Sequence, residues 1–169
     1  MHFELRTQGR TRIMEVDDAR LIFKNFSGKG DKYNREGDRN FAVIIPDAEI
    51  AEHLQNDVNE DGVGWNVKIS DPKEPGDDPF MFLKVKIRFS DYGPDVYLIS
   101  GRNRIKLTED NIGCLDSIYI ASVDLDIRAW DNFTNGKFHR AAYLSRMEVV
   151  QNVDRFTARW EANNGREEY

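Results

Sequence analysis

The chain has 169 residues, of which 40% are hydrophobic and 32% are charged, and its formal net charge is −6. The hydrophobic content excludes a disordered chain, and no stretch approaches the ~18 continuous apolar residues of a transmembrane helix. One cysteine, Cys114, excludes an intramolecular disulfide framework and a zinc site made of several cysteines. We expect a single domain over residues 1–150 and a polar tail over residues 151–169 whose end is flexible.

Alternation of apolar and polar residues, the pattern of a half-buried β-strand, recurs along the chain. In chain order it predicts strands at residues 19–26, 39–45, 64–70, 80–89, 96–100, 119–128 and 137–150. A helix is predicted to begin at Pro46-Asp47, with Asp47 as its N-cap. One or two further helical turns are expected between Thr108 and Gly113.

Many short strands with dense turn residues and two short helices predict a mainly β fold. The length fits an OB-fold-like antiparallel Greek-key barrel with extended loops and one or two short helices. A jelly roll has the same periodicity, so alternation leaves both architectures open.

The charge is distributed unevenly along the sequence. Residues 46–79 hold ten acidic residues against two lysines, a net of −8. Three other segments are basic: residues 80–106 carry +4, and residues 20–41 and 128–146 carry +3 each. The total of −6 argues against a nucleic-acid ligand at first sight, but this distribution predicts a polarised protein with basic surfaces.

The strand at residues 80–89 has the most informative pattern. If its odd positions face the core, its even positions present two aromatic rings followed by three cations on the solvent side. These are Phe80, Phe82, Lys84, Lys86 and Arg88. Rings that stack on bases and cations that neutralise phosphates are what a platform for single-stranded nucleic acid needs. The alternative is an ordinary solvated strand face whose phenylalanines are covered by the loop at residues 72–79.

Two other basic segments contain aromatic residues. A glycine-flanked loop between two predicted strands carries Lys32, Tyr33, Arg35 and Arg39. It is interpreted as a mobile loop that closes over DNA, or equally as a solvated hairpin loop. A hairpin around Asn135-Gly136 carries Arg128, Trp130, Phe133, Lys137, Phe138 and Arg140, whose rings either meet a ligand or fold back as a small core. Arg102 and Arg104 follow a predicted strand and add a supporting basic patch.

Catalytic patterns are weaker. Asp47, together with Asp71-Pro72-Lys73, imitates the carboxylates and lysine of a metal-dependent nuclease, but the second group lies in a proline-rich loop. The three histidines show no metal-ligand spacing. A metal-dependent nuclease is therefore a minor alternative, and a β-sandwich structural or interaction protein of a virion is a second one.

The order of the sequence blocks resembles that of bacteriophage single-stranded DNA-binding proteins with an OB-fold. The resemblance spans roughly residues 20–150 and rests on block order rather than on one diagnostic motif. The blocks include Asn25-Phe26-Ser27-Gly28, Asn40-Phe41-Ala42-Val43-Ile44-Ile45, Gly64-Trp65-Asn66-Val67-Lys68, Phe82-Leu83-Lys84-Val85-Lys86-Ile87, Val96-Tyr97-Leu98-Ile99, Leu115-Asp116, Val123-Asp124-Leu125-Asp126-Ile127-Arg128 and Ala142-Tyr143-Leu144. The resemblance implies that the protein binds single-stranded DNA without sequence specificity in phage replication or recombination, with no cofactor, no metal and no reaction.

The resemblance also concerns the C-terminus. Proteins of this type often end in an acidic tip with a terminal aromatic residue that recruits replication enzymes, and this chain ends in Glu167-Glu168-Tyr169. We therefore expect replication or recombination enzymes as partners of this tip, and no membrane. No secretory signal is recognisable near Met1, so the expected location is the cytoplasm of an infected host cell.

Overall fold

The computed structural model describes residues 1–71, 74–76 and 78–153. In this part of the chain ten strands, one α-helix and one short 3-10 helix, η1, follow one another. Their bounds are β1 His2–Gln8, β2 Thr11–Asp17, β3 Leu21–Asn25, β4 Arg39–Ile45, α1 Ala48–Gln55, β5 Val67–Ser70, β6 Phe80–Ile87, β7 Asp95–Ser100, β8 Asn103–Leu107, η1 Ile112–Asp116, β9 Ile120–Thr134 and β10 Lys137–Gln151. No helix of the described residues is long and apolar enough to span a bilayer.

The strands form one mixed sheet. Its main path has the order β1-β2-β9-β10-β6-β4-β3. The other three strands lie off this path: β5 pairs with β6, and β7 pairs with both β10 and β8. β6 and β7 lie end to end along one edge of β10, and both run parallel to it: Tyr143 is opposite Lys86, and Val149 is opposite Leu98. This arrangement makes β6 the middle strand of the surface described below.

The inner face of the sheet carries the hydrophobic core. Alternate residues of β4, β6, β9 and β10 point inward and pack with α1 and η1. The largest fully buried side chains include those of Trp65, Phe26, Phe41 and Met14. Each such side chain contributes about 1.5–3 kcal/mol when it leaves water, so burial of this face fixes the register of the strands and decides which residues point outward.

The prediction of a mainly β, OB-like fold is confirmed, and two details of the sheet differ from it. β10 pairs in parallel with β6 and β7, so the sheet is not wholly antiparallel. The strand path is also not closed by hydrogen bonds within the described residues.

Both predicted helical segments exist. Asp47 caps α1 by accepting a hydrogen bond from Ile50 N at 2.8 Å. The second segment begins later than predicted. Residues 108–111 form a turn, in which Asn111 Oδ1 accepts a hydrogen bond from Thr108 N at 2.6 Å. The helix η1 begins after this turn, at Ile112, and does not end at Gly113.

β9 and β10 are much longer than the other strands, at 15 residues each. Asn135 and Gly136 join them with positive φ of 54° and 77°, as a two-residue type I′ turn requires. β2 pairs with β9 only as far as Arg128, and the contact of β10 with β6 is at Tyr143. Residues 129–141 therefore extend beyond the neighbouring strands, and we call them the arm.

Candidate nucleic-acid interface

The outer face of β6 has the side chains that the alternation predicts. Leu83, Val85 and Ile87 are buried in the core. The even-numbered residues point to the other side, where Phe80, Lys84, Lys86 and Arg88 are exposed and Phe82 is half-buried. The platform of two rings followed by three cations is thus on the surface of the protein.

A long groove runs over this face of β6. It consists of three adjoining concave regions of about 600, 530 and 430 Å³ that share Lys84. One wall is the loop at residues 26–38, and the other is the arm. The lining of the groove includes Phe23, Lys24, Lys29, Tyr33, Asn34, Arg35, Arg39, Asn40, Lys68, Phe82, Lys84, Lys86, Arg88, Trp130, Asn132, His139 and Tyr143.

The loop wall presents its basic and aromatic side chains to solvent while hydrogen bonds hold its backbone. Tyr33 is 89% exposed, and the Lys32 ammonium lies 5.6 Å from the centre of its ring. Asn34 Nδ2 donates to the carbonyl oxygens of residues 29, 35 and 38 at 2.9–3.1 Å, and Asn34 Oδ1 accepts from Asn40 Nδ2 at 2.9 Å. The sequence interpretation of a mobile loop missed this network.

Both ends of the loop are attached to other elements. Asp116, at the end of η1, accepts from Phe26 N and Ser27 N at 2.9 Å each. At the other end, Arg39 is partly buried and approaches the carboxylate of Glu109 at 3.4 Å. Arg39 therefore lines the groove but also ties β4 to the segment before η1, whereas Arg35 is exposed at the groove and pairs with Asp38 at 3.3 Å.

Three phenylalanine rings meet at one end of the groove. Phe23 lies 5.4 Å from Phe82 and 6.2 Å from Phe80, measured between ring centres. The pairing of β3 with β4 is interrupted between Ile22 and Asn25, and Phe23 has a φ of +51°. This left-handed conformation is rare for a bulky residue and costs on the order of 1–3 kcal/mol. It places the ring in the groove, where Phe23 is 60% exposed.

The lysines of the groove repel one another. Burial lowers the pKa of Lys84, the charges of Lys68 and Lys86 lower it further, and Asp38 opposes them. Among the described residues, none of these three lysines lies within 4.0 Å of a carboxylate oxygen. An anion bound between them would remove this repulsion, so the cluster favours a phosphate-bearing ligand.

The arm brings a second group of rings to the groove. Trp130 is half-exposed and meets Tyr143 edge-on, with ring centres 5.9 Å apart. The Arg128 guanidinium lies 5.0 Å from the centre of the Tyr143 ring. Lys137 is exposed beside the turn. Phe133 and Phe138 pack against each other at 4.8 Å, and the alternation places them on the opposite face from Trp130, outside the groove.

Arg140 differs from the other predicted contacts because it is buried. Its side chain is 3% exposed and stacks over Trp65. Its guanidinium donates hydrogen bonds to the Asp131 carboxylate at 2.8 and 3.2 Å and to the Asp57 carbonyl oxygen at 2.7 Å. The guanidinium joins the arm to the segment after α1, and almost none of it is exposed at the groove.

The pKa of Asp57 lies below its usual value. Burial raises this pKa, but the hydrogen bonds from Arg12 and Trp65 and the positive charges of Arg12 and Arg140 lower it by more.

Arg102 and Arg104 lie on the β7–β8 hairpin, and neither lines the groove. Arg104 donates to Glu148 at 2.8 Å and lies over the ring of Tyr97 at 4.2 Å. Arg102 is exposed at the turn.

Acidic residues occupy another part of the outer face. Glu15 and Asp126 are paired across β2 and β9, with Asp124 and Asp17 nearby on the same strands. Burial and the charge of Glu15 raise the pKa of Asp126, while Arg6 and Arg146 oppose the shift. We call Glu15, Asp17, Asp124 and Asp126 the acidic patch; it lies on the same sheet face as Arg128 but away from β6.

The nuclease pattern does not assemble within the described residues. Asp47 is engaged as the cap of α1, and Lys73 lies outside the described part of the chain. No group of three or more potential metal ligands occurs among the residues that the structure describes. The proposed tip, Glu167, Glu168 and Tyr169, also lies outside the described residues, as does the tail from residue 154.

Sequence reasoning missed several residues of the groove, among them Phe23, Lys24, Lys68 and Tyr143. Phe23 and Lys24 were assigned to a regular strand, and the irregular β3–β4 pairing that turns Phe23 outward has no local sequence signal. Tyr143 and Lys68 belong to predicted strands that the sequence alone did not place beside β6.

The sequence matches the family described as "Putative phage ssDNA-binding domain" over residues 6–163. No curated protein matches it significantly. Among solved structures, the single-stranded DNA-binding protein from bacteriophage Enc34 is similar to this chain, with 13% sequence identity and a TM-score of 0.48; the match covers 91% of this chain and 92% of that one. A C-terminal truncation of that protein has a TM-score of 0.47, with 90% of this chain and 95% of that one covered. Its complex with ssDNA has a TM-score of 0.46, with 88% and 94% covered.

Proposed function

The chain belongs to the family of phage ssDNA-binding domains, and from this premise we propose that the groove over β6 is the surface that binds the DNA strand. The observation that carries the proposal is the cluster of Lys68, Lys84 and Lys86 between two groups of aromatic rings. No carboxylate of the described residues pairs with these lysines. The lysines attract the phosphates, and the rings stack on the bases.

The predicted contacts divide into three groups under this proposal. The first group contacts DNA. It comprises residues that line the groove, namely Phe82, Lys84, Lys86, Arg88, Tyr33, Arg35, Arg39 and Trp130, and residues next to that lining, namely Phe80, Lys32 and Arg128. Arg102, Arg104 and Lys137 lie at its periphery and contact only a longer strand. Arg140 positions the arm and makes no contact with DNA.

The same contacts account for sequence-nonspecific binding. Lysine ammonium groups and aromatic faces recognise features that every nucleotide shares, whereas sequence readout requires hydrogen bonds to base edges. We propose that the protein covers single strands during phage replication or recombination in the cytoplasm of the infected cell. It acts by binding, without a cofactor and without a reaction of its own. We also propose that residues 1–150 form a single domain and that residues 151–169 form a tail. The tip of this tail recruits a replication or recombination enzyme.

Removing two groove lysines tests the proposed surface. We expect Lys84→Ala/Lys86→Ala to weaken binding of oligo(dT) by about tenfold at low salt, since each lost phosphate contact removes electrostatic attraction. The measurement is fluorescence anisotropy of a labelled oligonucleotide, with quenching of intrinsic tryptophan emission as a second readout.

Lys106→Ala is the matched control, because Lys106 is an exposed strand lysine that pairs with Asp95 at 3.4 Å outside the groove. Its affinity should stay close to that of the unmodified chain. Equal losses in the two variants would place the DNA elsewhere, and no retention of single-stranded DNA by the unmodified chain at low salt would refute the function itself.

A further inference from the structure

We propose that the end of the groove between Phe23 and Tyr33 is a subsite for a single nucleobase, with Phe23 as the ring on which the base stacks. The inference rests on the proposed function and adds a defined place for one base within the path of the strand. It is carried by the conformation of Phe23, by the shape and lining of the cavity, and by the state of its polar groups.

The backbone at Phe23 is strained, although the ring gains only partial packing, against Phe80 and Phe82. Its φ of +51° is unfavourable for a bulky side chain, and the strand pairing is broken around it. A strained residue normally recovers its cost by burial, yet this ring remains 60% exposed. Strain of this kind concentrates at binding sites, where the fold holds a side chain ready for a ligand.

The open cavity beside Phe23 has room for a base and the chemistry that stacking requires. Its volume is about 600 Å³, and Phe23, Phe82 and Tyr33 contribute aromatic surface to it. Three lysines, Lys24, Lys29 and Lys84, line it together with the carboxylates of Asp31 and Asp116. A base can therefore stack on Phe23 while the adjoining phosphates meet the lysines.

The polar side chains of this cavity are largely occupied by the protein itself. Asn34 donates to three carbonyl oxygens, and both carboxylate oxygens of Asp116 accept backbone N–H groups. Asn25 donates to the Lys29 carbonyl oxygen and accepts from Lys29 N. Since Asn25, Asn34 and Asp116 are engaged in this way, the subsite recognises a base mainly by stacking and accepts any of the four.

Phe23→Asn tests the subsite, because asparagine tolerates a left-handed backbone and lacks the ring. The probes are oligo(dT) and an oligonucleotide of equal length whose sugars carry no bases. We expect the variant to bind oligo(dT) about tenfold more weakly and the abasic strand unchanged. Its thermal unfolding midpoint should not fall, since the strain is relieved. Phe23→Leu keeps apolar contact with Phe80 and Phe82 and should lose the same preference for bases.

Phe133→Asn is the control, because Phe133 is an equally exposed aromatic residue on the other face of the arm. It should leave the ratio of the two affinities intact. An unchanged ratio in Phe23→Asn and Phe23→Leu would overturn the subsite while leaving DNA binding in place. Absence of binding to both probes by the unmodified chain would instead refute the proposed function.

Discussion

At the scale of single residues, two arginines show how the same side chain serves different purposes. Arg140 is enclosed by Asp131, Trp65 and the Asp57 carbonyl oxygen, whereas Arg104 pairs with Glu148 while it is 51% exposed. Their sequence surroundings are similarly basic, so local sequence predicts a DNA contact for both. The distinction depends on a contact 83 residues away in the chain, which no local pattern contains.

This contrast gives a prediction for stability. Arg140→Ala should lower the free energy of unfolding by about 3 kcal/mol, because it leaves the Asp131 carboxylate and the Asp57 carbonyl oxygen without their buried donor. Arg104→Ala removes an exposed pair and should cost less than about 1 kcal/mol. Urea denaturation followed by circular dichroism measures both values. Equal, small losses would show that the cluster around Arg140 contributes little.

At the scale of elements, alternation predicts strands well where one face is buried and the other is wet. The strand at residues 80–89 is such a case, and its outward residues were predicted correctly. β2 escaped prediction because Ile13 and Met14 are adjacent, point to opposite faces and are both buried. β8 escaped because only Leu107 of its residues is buried. The sequence also shows the turn at Asn135-Gly136, but not that the arm faces the loop wall across β6.

The loop wall carries a prediction at this scale. Asn34→Ala removes the hydrogen bonds that hold the backbone around Tyr33, so ssDNA affinity should fall about threefold to tenfold by loss of preorganisation. The thermal midpoint should change little, because the loop is on the surface. In a double-mutant cycle with Tyr33→Ala, the two losses should not add, since both act through the same ring.

Asn59→Ala is a suitable comparison, because Asn59 holds another turn by accepting from Asp61 N and Val63 N. Its ssDNA affinity should be unchanged. Fully additive losses of Asn34→Ala and Tyr33→Ala would mean that Asn34 does not act by positioning Tyr33.

At the scale of the whole molecule, the net charge of −6 conceals a separation of charge. The groove holds the lysine cluster, and the acidic patch lies on the same sheet beyond Arg128. The sequence predicts a polarised protein whose acidic pole is the segment at residues 46–79. It does not predict the acidic patch, whose residues lie on β2 and β9, outside that segment. These residues come together only because β2 pairs with β9, and strand order cannot be read from the sequence.

The acidic patch should act on DNA binding through its field. We expect Asp17→Asn/Asp126→Asn to raise the affinity for oligo(dT) by about twofold at 20 mM salt, where charges are felt over some 20 Å or more. At 500 mM salt the variant and the unmodified chain should be equal, because screening confines the field to a few ångströms. Anisotropy titrations at the two salt concentrations measure the difference. A gain that persists at high salt would point to a local contact instead of the field.

The placement of the acidic patch beside a cationic groove also gives the molecule an electric dipole. In the field of a polyanion such a dipole turns before contact, so that the groove arrives facing the strand. Added salt screens the patch and the groove alike, so it weakens this orientation of the molecule together with the attraction of the groove for the strand.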